Sequence, residues 1–201
     1  MGRYRGPVEK LSRREGVQLY LKGERVLAGK SALERHPYPP GEHGRGRQRP
    51  SEYRLQLREK QKAKRLYGLR ERQFRRLFRR TRGDGQLLRS LELRLDNVLF
   101  RLGFASTRAQ ARQFVVHGHV QVNGRKVDVP SFRMRPGDRV SLRADSTIEP
   151  LVREATDFVS VAPRWLLADH DELWGRVERE PAREEIDAPV DEKLIVEFYS
   201  R

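Results

Sequence analysis

The stretch "RQFVVHGHVQVNGRKVDV", Arg112 to Val129, changes its periodicity halfway along. As far as Val116 the apolar residues follow a helical spacing from Thr107, and Thr107 and Gln110 stand three apart as in a capping box. Beyond His119 they alternate: Val120 and Val122 precede Asn123-Gly124, and Val127 and Val129 follow it. Asn-Gly between alternating runs is the strongest short hairpin signal. Gly118, at the switch, suits a left-handed helix stop. A helix that runs straight into a β-hairpin places the chain in the α+β class.

The neighbouring segments extend this reading. In "SLELRLDNVLFRLG" (Ser90–Gly103), Leu91, Leu95, Val98, Leu99 and Leu102 keep a 3.6-residue period, which predicts one helix ended by Gly103 and forming a helical hairpin with the next. Downstream, Pro136-Gly137-Asp138 reads as a turn and "RVSL" (Arg139–Leu142) as a further strand. "DFVSVAPRWLLAD" (Asp157–Asp169) is expected to add a strand, with Trp165 and Trp174 as packing residues. Residues 91–176 are therefore expected to form a small module of two helices packed on an antiparallel or mixed sheet.

Upstream, Ser51 and Gly68 bracket a helix, and "RERQFRRLFRRT" (Arg70–Thr81) sets Phe74, Leu77 and Phe78 on one face of a second, before a turn at "RGDGQ" (Arg82–Gln86). These make a helical domain over 51–90, joined by the C-terminal segment 177–201, where "EREPAREEIDAPVDE" reads as an acidic loop and "KLIVEFYSR" as an ordered end. Residues 1–50 are rich in Gly, Pro and Arg, with four prolines and three glycines between Arg35 and Pro50. That composition disfavours helix and sheet and predicts an extended basic N-terminal arm that orders on binding.

The 201 residues carry 43 Lys and Arg against 28 Asp and Glu, a net charge of +15. The excess is +16 over residues 1–80 and +5 over 81–150, whereas 151–201 carry −6. A basic front of this size concentrates polyanions, so nucleic acid is the expected partner. There are no cysteines, which excludes disulfides, thiolate nucleophiles and cysteine-bearing metal sites. The N-terminus has no apolar core of a signal peptide and no run reaches the ~18 apolar residues of a membrane span, so a cytoplasmic chain without membrane partners is expected.

The His-Gly-His of the opening stretch raises metal binding and catalysis as alternatives. His36, His43 and His170 are too distant in sequence to complete a ligand set, so no metal and no cofactor are expected. No nucleophile or orienting acid stands at a recognisable spacing, so no catalytic residue is assigned. Asp96, in "RLD", resembles the catalytic triplet of pseudouridine synthases, but within an amphipathic helix its expected role is polar packing. No glycine-rich phosphate loop occurs.

Phosphate contact remains. Thr107, Arg108 and Arg112 lie on one polar side of the "TRAQAR" helix, and the hairpin brings His119, Asn123, Arg125 and Lys126. Arg54, Arg58, Lys62 and Arg65 form one ridge, and Arg72 and Arg76 lie on the next helix. In the arm, Arg3, Arg13, Arg14, Lys22, Arg45, Arg47 and Arg49 complete the expected RNA-binding set.

"LELRLDNVLFRLGFASTRAQARQFVVHGHVQVNGRKVDVPSFRMRPGD", Leu91 to Asp138, resembles the RNA-binding module named after bacterial small-subunit ribosomal protein four. "GRYRGP", "YLKGER", "RHPYPPGEHG", "SEYRLQLREKQKAKRLYGLRERQFRRLF" and "IVEFYSR" resemble the same family, and only 144–188 match poorly. The resemblance implies a non-enzymatic primary binder of small-subunit rRNA in the 5′ domain that nucleates assembly. It further implies a neighbour in small-subunit protein five, an influence on decoding accuracy, a place where mRNA enters, and, in some members, repression of their own operon. A resident of the small subunit in the cytoplasm follows, with no homo-oligomer.

Many members carry a four-cysteine zinc knuckle, whose positions fall here on Glu9, Ser12, Val26 and Ser31, so a zinc-less form is expected. Arg70 replaces the usual serine cap. Two alternatives are an RNA-modifying enzyme that borrows the module and a binder that visits ribosomes transiently. Base modification on incubation with rRNA marks the first, and loss from the subunit in high salt marks the second.

Overall fold

The computed structural model describes residues 4–23, 26, 28–46, 49–81, 86–157 and 162–200. In chain order these form α1 (Glu9–Glu15), α2 (Ala32–Arg35), a 3-10 turn (Glu42–Arg45), α3 (Glu52–Leu66), α4 (Glu71–Thr81), α5 (Gln86–Glu92), α6 (Leu95–Arg101) and α7 (Arg108–Val116). Then follow β1 (Val120–Val122), β2 (Arg125–Lys126), β3 (Arg139–Leu142), α8 (Glu149–Asp157), β4 (Leu166–Asp169), β5 (Trp174–Val177), a 3-10 turn (Arg183–Glu185) and α9 (Glu192–Tyr199). The chain divides into two compact units, Met1–Leu87 with Ala188–Arg201, and Leu88–Asp187. The first division falls a few residues before the one the sequence predicts after residue 90, and the second about ten residues after the one it predicts at residue 176. Glu178 N donates to Trp165 O and Arg101 Nη2 to Asp187 O, which keeps 178–187 with the sheet unit. Among the described residues no helix is long and apolar enough to cross a membrane.

In the first unit Ser51 caps α3 by accepting from Arg54 N, and Gly68 follows its end at φ +63°. Helix α9 packs on α3, burying Ile195, Ala63 and Leu66. Around this contact a polar clamp forms. Glu71 accepts from Lys60 at 2.9 Å, Lys64 at 3.1 Å and the Tyr199 hydroxyl at 3.0 Å, while the buried Lys60 ammonium lies 4.4 Å from the Phe198 ring centroid. A buried lysine with both a carboxylate and an aromatic face is compensated for its lost hydration.

Where an extended arm is expected over 1–50, the described residues between Glu9 and Arg45 fold into helices and turns. Ser31 caps α2 by accepting from Leu33 N, and Glu9 Oε2 accepts from Ala32 N at 3.0 Å. Leu19 and Val26 are buried, and α1 packs on α2 and α3. The Arg13 and Arg45 guanidinium groups both lie against the Tyr38 ring, 5.0 and 4.8 Å from its centroid. Side-chain caps and apolar burial override the coil bias of the glycines and prolines.

The second unit has the expected α+β form, a helix pair on an antiparallel sheet of order β2-β1-β3-β5-β4. Asn123 (φ +51°) and Gly124 (φ +76°) make the left-handed turn between β1 and β2. Leu95, Leu99, Leu102, Phe104, Met134, Val140 and Trp165 fill the core. Gly175 on β5 lets helix α6 approach, since a Cβ there would lie 2.6 Å from a Leu102 methyl. The expected strand at Leu166–Asp169 is β4, an edge strand paired with β5. The turn at Arg82–Gly85 lies outside the described residues.

The predicted single helix over Ser90–Gly103 is broken. Arg94 is extended (φ −74°, ψ 139°) and bridges Arg133, with Met134 N donating to Leu93 O at 2.8 Å and Leu95 N to Phe132 O at 2.9 Å. The returning segment 130–134 takes backbone bonds that a continuous helix would have made internally.

Glu71 provides an acid-stability test. Burial alone would raise its pKa, but the hydrogen bonds from Lys60 and Lys64 hold it below the ordinary value of 4.5. With the folded value depressed, its contribution is present above pH 4.5 and is lost as the pH falls through the folded value. Glu71→Gln is expected to remove that component from the urea-unfolding free energy measured against pH, lowering stability at pH 7 and flattening the acid limb.

Candidate nucleic-acid interface

The polar side of α6 and α7 is organised by acids beneath it. Asp96, only 8% exposed at its side chain, holds Arg94 through two bonds (Nε–Oδ1 3.0 Å, Nη2–Oδ2 2.7 Å) and Arg112 through a third (Nη1–Oδ2 3.1 Å). Next to it Asn97 accepts from Arg108 Nε at 2.7 Å and donates Nδ2 to Glu92 Oε2 at 2.8 Å. Glu92, buried, takes a bidentate pair from Arg101 at 2.8 and 2.9 Å. The Arg108 guanidinium also lies 4.3 Å from the Phe100 ring centroid. Arg108 and Arg112, expected on one polar side of the helix, are thus held by Asn97 and Asp96 while remaining partly exposed. The polar role expected for Asp96 is therefore wider than one helix.

Thr107 uses its hydroxyl as the α7 cap, accepting from Gln110 N at 3.1 Å, and Gln110 Oε1 accepts from Ser106 N at 2.8 Å. Asn123 donates Nδ2 to Asp138 Oδ1 at 2.8 Å and accepts from Arg139 N at 2.9 Å, so its side chain latches the hairpin to β3. Arg125 and Lys126 are exposed at the hairpin tip. His119 Nδ1 lies 3.1 Å from Ser146 Oγ.

In the first unit the ridge on α3 is stitched to the N-terminal segment. Glu15, whose side chain is 0% exposed, binds Arg58 at 3.4 Å and Arg65 more closely, and Lys62 pairs with Glu59. Burial pushes the Glu15 carboxyl above its ordinary value despite the opposing charges of Arg65 and Arg58, and burial lowers the Arg65 pKa. Arg54 is exposed on the same helix. Arg13 Nε donates to Tyr38 O at 3.1 Å, Arg14 Nη2 to Pro40 O at 3.0 Å and Arg45 Nη2 to the Tyr38 hydroxyl at 3.2 Å, so these three arginines, expected as RNA contacts, also hold the N-terminal segment together. Lys22 and Arg49 are exposed, while Arg3 and Arg47 lie outside the described residues. On α4, Arg72 and Arg76 line an open cleft together with Arg75, Arg79, Arg80 and Glu71. The last three arginines were not in the expected set, although the same arginine-rich segment signalled them.

The zinc-knuckle positions do not suit a metal. Glu9 caps α2, Ser12 Oγ accepts from Leu19 N at 3.4 Å, Ser31 Oγ accepts from Leu33 N while donating to Gln18 Oε1 at 3.2 Å, and Val26 offers no donor. A tetrahedral soft-ligand set is absent from these four. Among the described residues no cluster of three or more His, Asp or Glu could hold a metal ion. His170 is occupied at the Leu102 carbonyl, 2.8 Å from Nε2, and His36 lies beside the Tyr38 hydroxyl.

The chain matches two family models, the ribosomal protein S4/S9 N-terminal domain over residues 3–98 and the S4 domain over residues 93–140. Small ribosomal subunit protein uS4 of Natranaerobius thermophilus is 55% identical over 209 residues, spanning all of both chains. The uS4 protein of Thermus thermophilus is 53% identical over 210 residues, and uS4A of Symbiobacterium thermophilum is 53% identical over 207, again over the full length of each.

Removing the Asp96 carboxylate takes a nearly buried acid away from two guanidinium groups, those of Arg94 and Arg112. Asp96→Ala is expected to destabilise the protein by about 3 kcal/mol, measured by chemical denaturation, because breaking one side of such a pair costs more than the pair contributes.

Proposed function

Because the chain belongs to the small ribosomal subunit protein uS4 family, whose members are structural and not enzymes, we propose that it is a primary binder of small-subunit rRNA, seated in the 5′ domain. As a structural component of the small subunit it resides on the cytoplasmic ribosome. It nucleates assembly, and its neighbours include small-subunit protein five and the mRNA where it enters the subunit. Through those contacts it bears on decoding accuracy. It acts as a single copy with no membrane partner.

The observation that supports this most is the comb of Arg94, Arg108 and Arg112 held by Asp96 and Asn97. Folded RNA presents phosphates in a rigid array and hides base edges in a deep groove, so recognition depends on shape and cation spacing. A guanidinium fixed in advance loses less side-chain freedom on contact than one free in solvent. Arg54, Arg72, Arg76, Arg125 and Lys126, exposed on other elements, extend the contact, and Lys22 and Arg49 in the N-terminal segment add to it.

The reading is tested by binding to a small-subunit rRNA fragment with heparin as competitor. With roughly 6–10 phosphates neutralised, affinity falls on the order of 10³–10⁵-fold between 50 and 200 mM salt. Arg125→Ala with Arg72→Ala is expected to lower the steepness of that salt dependence by about one phosphate contact each. Equal affinity for heparin and structured rRNA rejects the proposal.

A further inference from the structure

We propose that Lys126, Arg143, His119 and His117 form one phosphate subsite at the junction of α7 with the sheet, which takes a phosphodiester of folded RNA. This deepens the RNA-binding reading and rests on it.

Gly118 organises the junction. It has φ +74°, and the side chain of Lys126 crosses its bare backbone: a Cβ on residue 118 would sit 2.9 Å from Lys126 Nζ and would overlap the adjacent methylene. The lysine therefore lies where only glycine leaves room, with its ammonium beside the C-terminal end of α7, where the helix dipole favours a cation. Arg143, just after β3, donates Nη1 to the Gly118 carbonyl at 3.4 Å, and its backbone N–H donates to His119 O at 3.0 Å. The His117 and His119 rings are 6.2 Å apart, and Ser146 Oγ holds His119 Nδ1. Three separate stretches of chain thus bring an ammonium, a guanidinium and two imidazoles around one residue. The carboxylate that acts on His119 is Asp145, an exposed side chain paired with Arg143 Nη2 at 2.6 Å.

Donors that reach one junction from separate stretches of chain fit an anion with oxygens on several sides, and a phosphodiester offers its oxygens in a tetrahedral array, whereas a carboxylate offers two in one plane that a single guanidinium satisfies. The free protein carries a signature of that field. Burial first, then the charges of His117 and Arg143, hold the His119 imidazole below its ordinary value of 6.5, with Asp145 opposing weakly. A phosphate seated there cancels the positive field and favours the imidazolium. Binding then takes up a proton, so affinity is highest below the free His119 value and declines as pH rises through the bound value. Each unit by which binding raises the His119 pKa makes affinity about tenfold higher at the low-pH limit than at the high-pH limit.

The test uses the full chain. Affinity for the small-subunit rRNA fragment is measured at pH 5.5, 6.5 and 7.5 for the wild type and for His119→Gln, His117→Gln and Arg143→Ala, each checked by thermal unfolding. In parallel, imidazole NMR follows His119 during titration with inorganic phosphate. The expected results are tighter wild-type binding at low pH, a flattened pH profile in His119→Gln, and a salt dependence in Arg143→Ala shallower by about one contact. Phosphate is expected to raise the His119 titration midpoint in the wild type and not in Arg143→Ala. An unmoved midpoint with phosphate, or a pH profile that survives His119→Gln, overturns the subsite. Failure of the wild type to bind rRNA at any pH overturns the functional reading instead, and the phosphate titration then decides the subsite alone.

Discussion

Buried carboxylates hold this basic chain together. With 43 cations against 28 acids, its folded state brings like charges close, and self-repulsion opposes compaction. Three acids answer that constraint from inside. Glu15 ties Arg58 and Arg65 on α3 to the N-terminal segment, Glu92 holds Arg101, and Asp96 holds Arg94 and Arg112. Each acid is nearly or fully withdrawn from water and each is compensated by arginine, whose planar fork can bond two oxygens at once.

The same acids give the surface its order. Arginine in solvent samples many rotamers, and binding RNA would have to freeze them. Where the guanidinium is already bonded to Asp96 or Asn97, much of that ordering is completed on folding. Glycine acts in a comparable way at the helix-to-sheet junction, where the missing side chain of Gly118 makes room for Lys126.

Much of this was legible in order along the chain. The switch from a 3.6-residue to a 2-residue period at Gly118, the caps at Ser51 and Thr107, and the Asn123-Gly124 turn are local signals, and each element forms where its residues say it should. The departures share one cause. The helix predicted across Leu93–Arg94 breaks because segment 130–134, distant in sequence, takes its backbone bonds, and the described residues between Glu9 and Arg45 fold because Leu19 and Val26 find burial that no local pattern announces. Helix α8 and strand β5 were missed for the same reason, since short elements of mixed character are selected by the core they pack on.

For the functional surface the division is similar. Residue types and net charge by themselves determined that the chain presents a basic face without thiols and with an α+β module, because period, turn chemistry and charge count are properties of neighbours in sequence. Only the tertiary structure decided which cations are held and by what. Asn123 and Thr107 turned out to be latches for the backbone, Arg58 and Arg65 are joined to Glu15, and Arg143 stands next to Gly118, because a side chain's partner is set by long-range packing that sequence spacing does not encode.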